Sequence, residues 1–199
     1  MTALRRFGLL APLAALSLGG CGLNSVPTAE EQVNAAWGNL QADLQRRIDL
    51  IPNLVRTVEQ TGKVEKGILV GVTQARAQAT QVKLSTADLD DPQKMAAFEA
   101  AQNQLSGSLG RLLVTVEAYP ELKSIGAYQD LIVEVERTEN RIKNDRRDYN
   151  EAVRVYNTTI RTFPSAIGAK VFYGAKPKTP YTGSTEAQTA PTVEFNNAG

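Results

Sequence analysis

The sequence predicts an all-α fold, an antiparallel bundle of four long helices. Three observations predict it. Apolar residues recur at alternating steps of four and three along four stretches, the spacing that lines one face of a helix. Only 6% of residues are aromatic against 42% hydrophobic, so the core must be aliphatic and rich in alanine, which suits helices better than sheets. Proline, glycine and aspartate fall between the stretches, where helices start and stop.

The first twenty-one residues stand apart. Arg5 and Arg6 form a short basic start, and Phe7 to Leu18 is a mostly apolar run interrupted by Pro12. A bilayer span needs about 20 such residues, so this run fits the apolar region of a secretory signal instead. It ends Leu18-Gly19-Gly20-Cys21, which resembles the lipobox of bacterial lipoproteins. Small residues let the peptidase reach the backbone, and the Cys21 thiol accepts a diacylglycerol. A further acyl chain such as palmitate on the freed amine gives the multi-chain anchoring that stable attachment requires. Residues 1–20 are therefore read as a lipoprotein signal peptide and 21–29 as a tether. Gly22 rather than Asp follows the cysteine; in a Gram-negative host this favours the outer membrane, facing the periplasm.

The first helix is expected from about Glu30, with Thr28 and Glu31 as a capping box. Val33, Trp37, Leu40, Leu44, Ile51, Leu54 and Val58 form its stripe, and Arg47 fills a gap in the rhythm. Pro52 lies inside and predicts a kink near Ile48 to Ile51 or a break. Gly62 is the expected stop. The second helix is expected from Lys63 to about Lys83, slim because Gly67, Gly71, Ala75, Ala77 and Ala79 recur in it. After a polar loop, Asp91-Pro92 reads as cap and first position of a third helix. Its stripe is Phe98, Leu105, Leu109, Leu112, Val116 and Tyr119, with Gln102 among them. The fourth helix is expected from about Ser124 to Phe163, with Tyr128, Ile132, Val135, Ile142, Tyr149, Val153, Tyr156, Ile160 and Phe163 on its stripe. Glu139 and Arg146 occupy the two places where the rhythm calls for an apolar residue. Residues 30–164 form the bundle in this reading. Residues 165–199, without periodicity and polar toward the end, read as a largely flexible C-terminal extension.

Longer strings add to the periodicity. Ala36-Trp37 and Leu44-Gln45-Arg46-Arg47-Ile48-Asp49-Leu50-Ile51-Pro52-Asn53-Leu54-Val55 stand in the first helix, and Val72-Thr73-Gln74-Ala75-Arg76 in the second. Glu136-Arg137-Thr138-Glu139-Asn140-Arg141-Ile142, Arg146-Arg147-Asp148-Tyr149-Asn150-Glu151-Ala152-Val153, Tyr156-Asn157-Thr158 and Phe163-Pro164 follow. Together these resemble the signature of the LemA family, over roughly Glu30 to Lys178. The resemblance implies a helical bundle attached to a membrane and brings no established catalytic activity. The chain departs from the family in two ways. Members commonly carry an N-terminal transmembrane helix where this chain has a lipobox-like run. Many have His-Glu early in the second helix where this chain has Val64-Glu65.

Composition narrows the chemistry. There is no histidine, the commonest general base, and one cysteine, so a multi-thiolate metal site is excluded. Arg5 and Arg6 are two of the 22 basic residues, so from Cys21 onward 20 basic residues face 21 acidic ones. A near-neutral chain offers no electrostatic case for nucleic acid. No cofactor is implied, and no metal: Glu134, Glu136 and Glu139 lack the Glu-x-x-His pattern of di-iron bundles, and Asp88, Asp90 and Asp91 lack that of an EF-hand loop. Carboxylates on a long helix usually form a solvated face.

Arg47, Gln102, Glu139 and Arg146 form the candidate buried polar layer. A buried charge needs a partner, and Arg47 is expected to pair with Glu139 or Asp49, with Arg146 and Gln102 in the same layer. The bland reading of such a layer, a device that fixes helix register, is preferred to a ligand site. Trp37 is expected in the core rather than among lipid headgroups, because it falls on the stripe. The functional expectation is a lipid-anchored, non-enzymatic interaction protein of the cell envelope, bound to the membrane and to an envelope protein. A carrier with a lipid or small-molecule pocket between helices is the alternative.

Overall fold

The computed structural model describes residues 24–119 and 125–183, and they are all helix, turn and extended chain. The expected signal peptide, Cys21 and the chain beyond residue 183 lie outside the described residues. The elements are α1 (Ser25–Glu59), α2 (Lys66–Gln81), a 3-10 turn (Thr86–Asp88), α3 (Pro92–Glu117), α4 (Gly126–Thr159), α5 (Ser165–Gly168) and a π-helical turn (Ala169–Tyr173). At 1.5 Å per residue α1 and α4 are each about 50 Å long. Among the described helices none is long and apolar enough to cross a membrane.

Side-chain pairings give the directions. Ser25 meets Ser165 and Arg46 meets Glu134, so α1 and α4 run antiparallel. Gln41 reaches the Leu84 carbonyl and Arg76 that of Ile48, so α1 and α2 also run antiparallel. Trp37 packs on Phe98 and Arg47 on Ser106, so α1 and α3 run parallel. All seven stripe residues of α1 are buried, as are Phe98, Leu105, Leu109, Leu112 and Val116 of α3. Trp37 is fully enclosed, its ring tilted against Phe98 at 5.5 Å and Tyr149 at 5.2 Å.

Several boundaries differ from the sequence reading. Helix α1 begins at Ser25, not Glu30, because Val26 and Ala29 bury in the core and draw in the second half of the expected tether. Thr28 does not cap it; its hydroxyl donates back to the Asn24 carbonyl at 2.7 Å. Pro27 is tolerated because the first four N–H groups of a helix have no intrahelical partner. The α3 start is as expected: the Asp91 carboxylate accepts from the Gln93 and Lys94 amides, with Pro92 at the first position. Helix α4 stops at Thr159, and Phe163, expected on its stripe, is 82% exposed. Pro164 keeps the preceding residue out of helical geometry, so the last turn has no stripe to continue. Gly62 closes the end of α1 at φ +64°, a left-handed conformation that glycine takes without strain.

Pro52 does not break α1, which runs unbroken from Ser25 to Glu59. Proline at this position leaves the carbonyl four residues earlier, that of Ile48, without its helical donor. Arg76 of α2 supplies one: its Nε donates to the Ile48 oxygen at 2.9 Å. The replacement bond also fixes α2 against α1. Arg76→Met should cost about 1–3 kcal/mol, the usual penalty for a buried acceptor left unpaired. The loss should shrink in a Pro52→Ala background, where the backbone regains the helical N–H at position 52. Urea melts of the four proteins test this; equal losses in both backgrounds would exclude the substitution of one donor for the other.

The segment expected to be a flexible extension packs back as far as residue 183. Ala169 and Tyr181 are buried in the core, and Gly174 at φ +55° turns the chain out of the π-helical turn into an extended strap. The reason is sequence-distant. Helix α4 presents polar side chains that bond the strap's backbone, which no local pattern in residues 165–183 records.

Candidate functional site

Two assemblies of polar side chains organise the interior. The first is a layer across the middle. Arg47 is 2% exposed, and its Nη2 donates to Gln102 Oε1 at 2.5 Å. Its Nη1 donates to Ser106 Oγ at 2.8 Å and to Glu139 Oε1 at 3.1 Å. Glu139 keeps 39% of its side chain exposed, so the pair spans from core to solvent. Arg47 Nε has no partner. The layer separates two apolar clusters, one holding Trp37, Leu40, Leu44, Phe98 and Tyr149, the other Ile51, Leu54, Leu105, Leu112 and Val135. Each helix changes cluster at its polar residue: α1 between Leu44 and Ile48, α4 between Val135 and Ile142. One helix sliding past another would push a charge into an apolar cluster, which is how a polar layer fixes register.

Gln102, Glu139 and Arg47 are thus joined by hydrogen bonds; Arg146 makes none of these bonds but lines the same surface pocket as Arg47, Ser106 and Glu139. Seven residues beyond Glu139, it lies about 10 Å further along α4, where its guanidinium stands over the Tyr181 ring at 5.8 Å. Asp49 faces outward and accepts from Gln45 at 2.8 Å. Ser106 is a member that the sequence reading misses. It lies four residues after Gln102, on the same helical line, and that spacing is the available signal.

The second assembly holds the strap. Asn157 accepts from the Lys178 amide and donates to the Lys178 carbonyl, both at 2.8 Å. Seven residues earlier, Asn150 does the same to Tyr181, at 2.7 and 2.8 Å. Tyr149 donates its hydroxyl to the Thr179 carbonyl at 2.8 Å, and the Thr179 amide donates to the Leu89 carbonyl at 2.7 Å. Glu99, a buried carboxylate, accepts from the Thr182 amide at 2.7 Å and the Thr182 hydroxyl at 2.8 Å. Each asparagine amide acts as a length of backbone would, one donor and one acceptor for an extended chain. Glu99 escapes a reading by periodicity because it neighbours Phe98 rather than lying on the stripe.

Burial pushes Tyr181 and Tyr156 up to about 12 and raises Tyr149 further. For all three the folded state favours the protonated phenol. The stabilisation is fully present below pH 10 and is lost as pH rises from 10 through about 12. Alkaline unfolding should therefore begin above pH 10, with Tyr149→Phe reducing the slope; circular dichroism against pH measures it.

Several of the acidic groups are held by other side chains. Glu134 pairs with Arg46 at 2.6 Å and Arg137 at 3.6 Å. Asp88 holds Ser85 and Lys94, which keep its carboxyl well below the usual range, and Asp90 pairs with Lys176 at 3.2 Å. Among the described residues no cluster of three or more His, Cys, Asp or Glu is arranged to hold a metal ion. An open groove of about 700 Å³ lies between α1 and the end of α2. Leu44, Ile48 and Phe98 line it together with Gln41, Gln45, Thr80 and Ser85.

Three curated relatives are similar to this chain. Magnetosome proteins MamQ 1 and MamQ 2 of Paramagnetospirillum magneticum strain AMB-1 are each 27% identical over 158 residues, covering 71% of this chain. Magnetosome protein MamQ of Magnetospirillum gryphiswaldense strain MSR-1 is 25% identical over 157 residues, again covering 71% of this chain. The chain spans 58% of the length of each of these relatives. The family profile described as LemA family matches residues 36–195, which include the Arg47 layer, the Pro52–Arg76 pair and the strap. The chain belongs to the LemA family.

Proposed function

We propose that this chain is a lipid-anchored helical-bundle protein of the cell envelope that acts by binding another envelope protein, without catalysis. The observation that carries the reading is the state of the interior. Among the described residues the buried apolar side chains gather in two clusters, and Arg47, Gln102 and Glu99 are engaged in structure, the first two in register and Glu99 in the strap. That leaves the outer surface to do the work. Helices α1 to α4 are read as an antiparallel four-helix bundle on a short tether from Cys21, and residues 1–20 as its signal peptide. Family membership and relatives named for the magnetosome support membrane association. In a Gram-negative host, Gly22 supports the outer membrane, facing the periplasm.

In-cell crosslinking of the tagged chain with mass spectrometry tests this, beside a Cys21→Ser control. One dominant partner, lost or reduced in the control, is the expected result. A correctly localised chain with no specific partner would overturn the interaction reading.

The groove beside α2 favours one second reading, a carrier of a lipid or small molecule. The groove is open to solvent and its lining mixes amides and hydroxyls with apolar groups, a poor match for an acyl chain alone. Native mass spectrometry of the membrane-extracted protein would reveal a stoichiometric bound lipid if the carrier reading holds.

A further inference from the structure

The end of the molecule where α1 begins carries an unusual surface. Between residues 163 and 173, five large apolar side chains are exposed: Phe163, Ile167, Val171, Phe172 and Tyr173, at 46–82%. Phe163 lies in the turn before α5, Ile167 in α5, and Val171, Phe172 and Tyr173 in the π-helical turn, so the five are gathered on one short segment. Elsewhere among the described residues the exposed large apolar ones, Val70, Val114, Ile125 and Val133, are scattered toward the opposite end. Single exposed apolar residues are ordinary; a run of them marks an interaction site.

Position identifies the occupant. Ser25 Oγ lies 2.8 Å from Ser165 Oγ, so α1 starts beside this surface. Cys21 is four residues earlier, within at most about 15 Å along the chain. A chain anchored at Cys21 has its apolar end held against the leaflet. Arg161 and Lys170, both exposed, add positive charge in the same stretch. Apolar side chains with basic residues beside them are the composition of an interfacial membrane contact.

We propose that Phe163, Ile167, Val171, Phe172 and Tyr173 insert at the headgroup–acyl boundary of a phospholipid leaflet and set the bundle upright on it. This rests on the anchored reading above. The geometry makes the anchor and the apolar end two signals for one surface. In the anchored chain the apolar end orients what Cys21 attaches.

The test uses the full chain, extracted from membranes and reconstituted into phosphatidylcholine vesicles with and without phosphatidylglycerol, with bromine on the lipid tails as a quencher. Phe172→Trp places a fluorophore on the apolar end, and Val114→Trp places one far from it. Trp37, enclosed in the core, supplies the unquenched baseline. The expected result is loss of most of the added emission at position 172 and none at position 114, with stronger quenching in anionic vesicles. Both positions are more than 60% exposed, so neither change disturbs the core. A chain that floats with the vesicles yet leaves position 172 unquenched would overturn the proposal while the anchor stands. Crosslinking of position 172 to a second copy would overturn it in favour of self-association. In a Cys21→Ser chain added to the same vesicles, flotation should fall sharply. Undiminished flotation with position 172 still quenched would support the apolar end and remove the anchored reading.

Discussion

Glu139→Leu should destabilise the protein more than Arg47→Met, although Arg47 is the buried member of the pair. Removing Glu139 leaves a guanidinium at 2% exposure with only neutral partners, Gln102 and Ser106. An uncompensated buried charge costs about 3–5 kcal/mol, and the lower end applies here because Glu139 is part-exposed and its attraction is screened. Removing Arg47 leaves Glu139 free to turn to water and strands only the Gln102 amide oxygen, about 1–3 kcal/mol. The double variant, Arg47→Met with Glu139→Leu, should be more stable than Glu139→Leu alone, since an apolar pair of similar size fits between two apolar clusters. Urea denaturation of the three variants measures this. Additive losses would mean that the two residues do not interact.

The strap gives the second large effect. Asn150→Ala with Asn157→Ala removes four hydrogen bonds that hold residues 178 and 181. At about 0.5–1.5 kcal/mol net for each bond, roughly 2–6 kcal/mol of local stability is lost. Amide hydrogen exchange should then accelerate at Lys178 and Tyr181, and at Thr182 as Glu99 loses its partner, while α1 keeps its protection. Protection unchanged at those amides would mean that side chains of α4 do not hold the strap.

Helices α1 and α3 are legible in the sequence because burial repeats along them at the period of the helix itself. The polar layer is legible for the same reason inverted: Arg47, Gln102 and Glu139 stand where the rhythm calls for apolar groups. Arg146 obeys the same rule and shares their pocket, yet its guanidinium turns to the Tyr181 ring, because periodicity gives a face and not a partner. Pro52 reads as a kink or break because the donor that replaces its missing N–H comes from Arg76, 28 residues beyond the Ile48 carbonyl it serves. No local pattern links the two. The strap is illegible for a related reason. Its order comes from Asn150, Asn157, Tyr149 and Glu99, all far from it in sequence, and its own residues carry no period. Asn150 and Asn157 stand in the strings that resemble the family, but only the folded chain shows what they hold.

Mass spectrometry of the N-terminal peptide of the protein, purified from membranes, bears most directly on the anchored reading. The expected N-terminus is Cys21, carrying a thioether-linked diacylglycerol and an acylated amine. A peptide that runs unmodified through Gly20-Cys21-Gly22 would contradict it and leave the apolar end at residues 163–173 as the protein's own hold on the membrane.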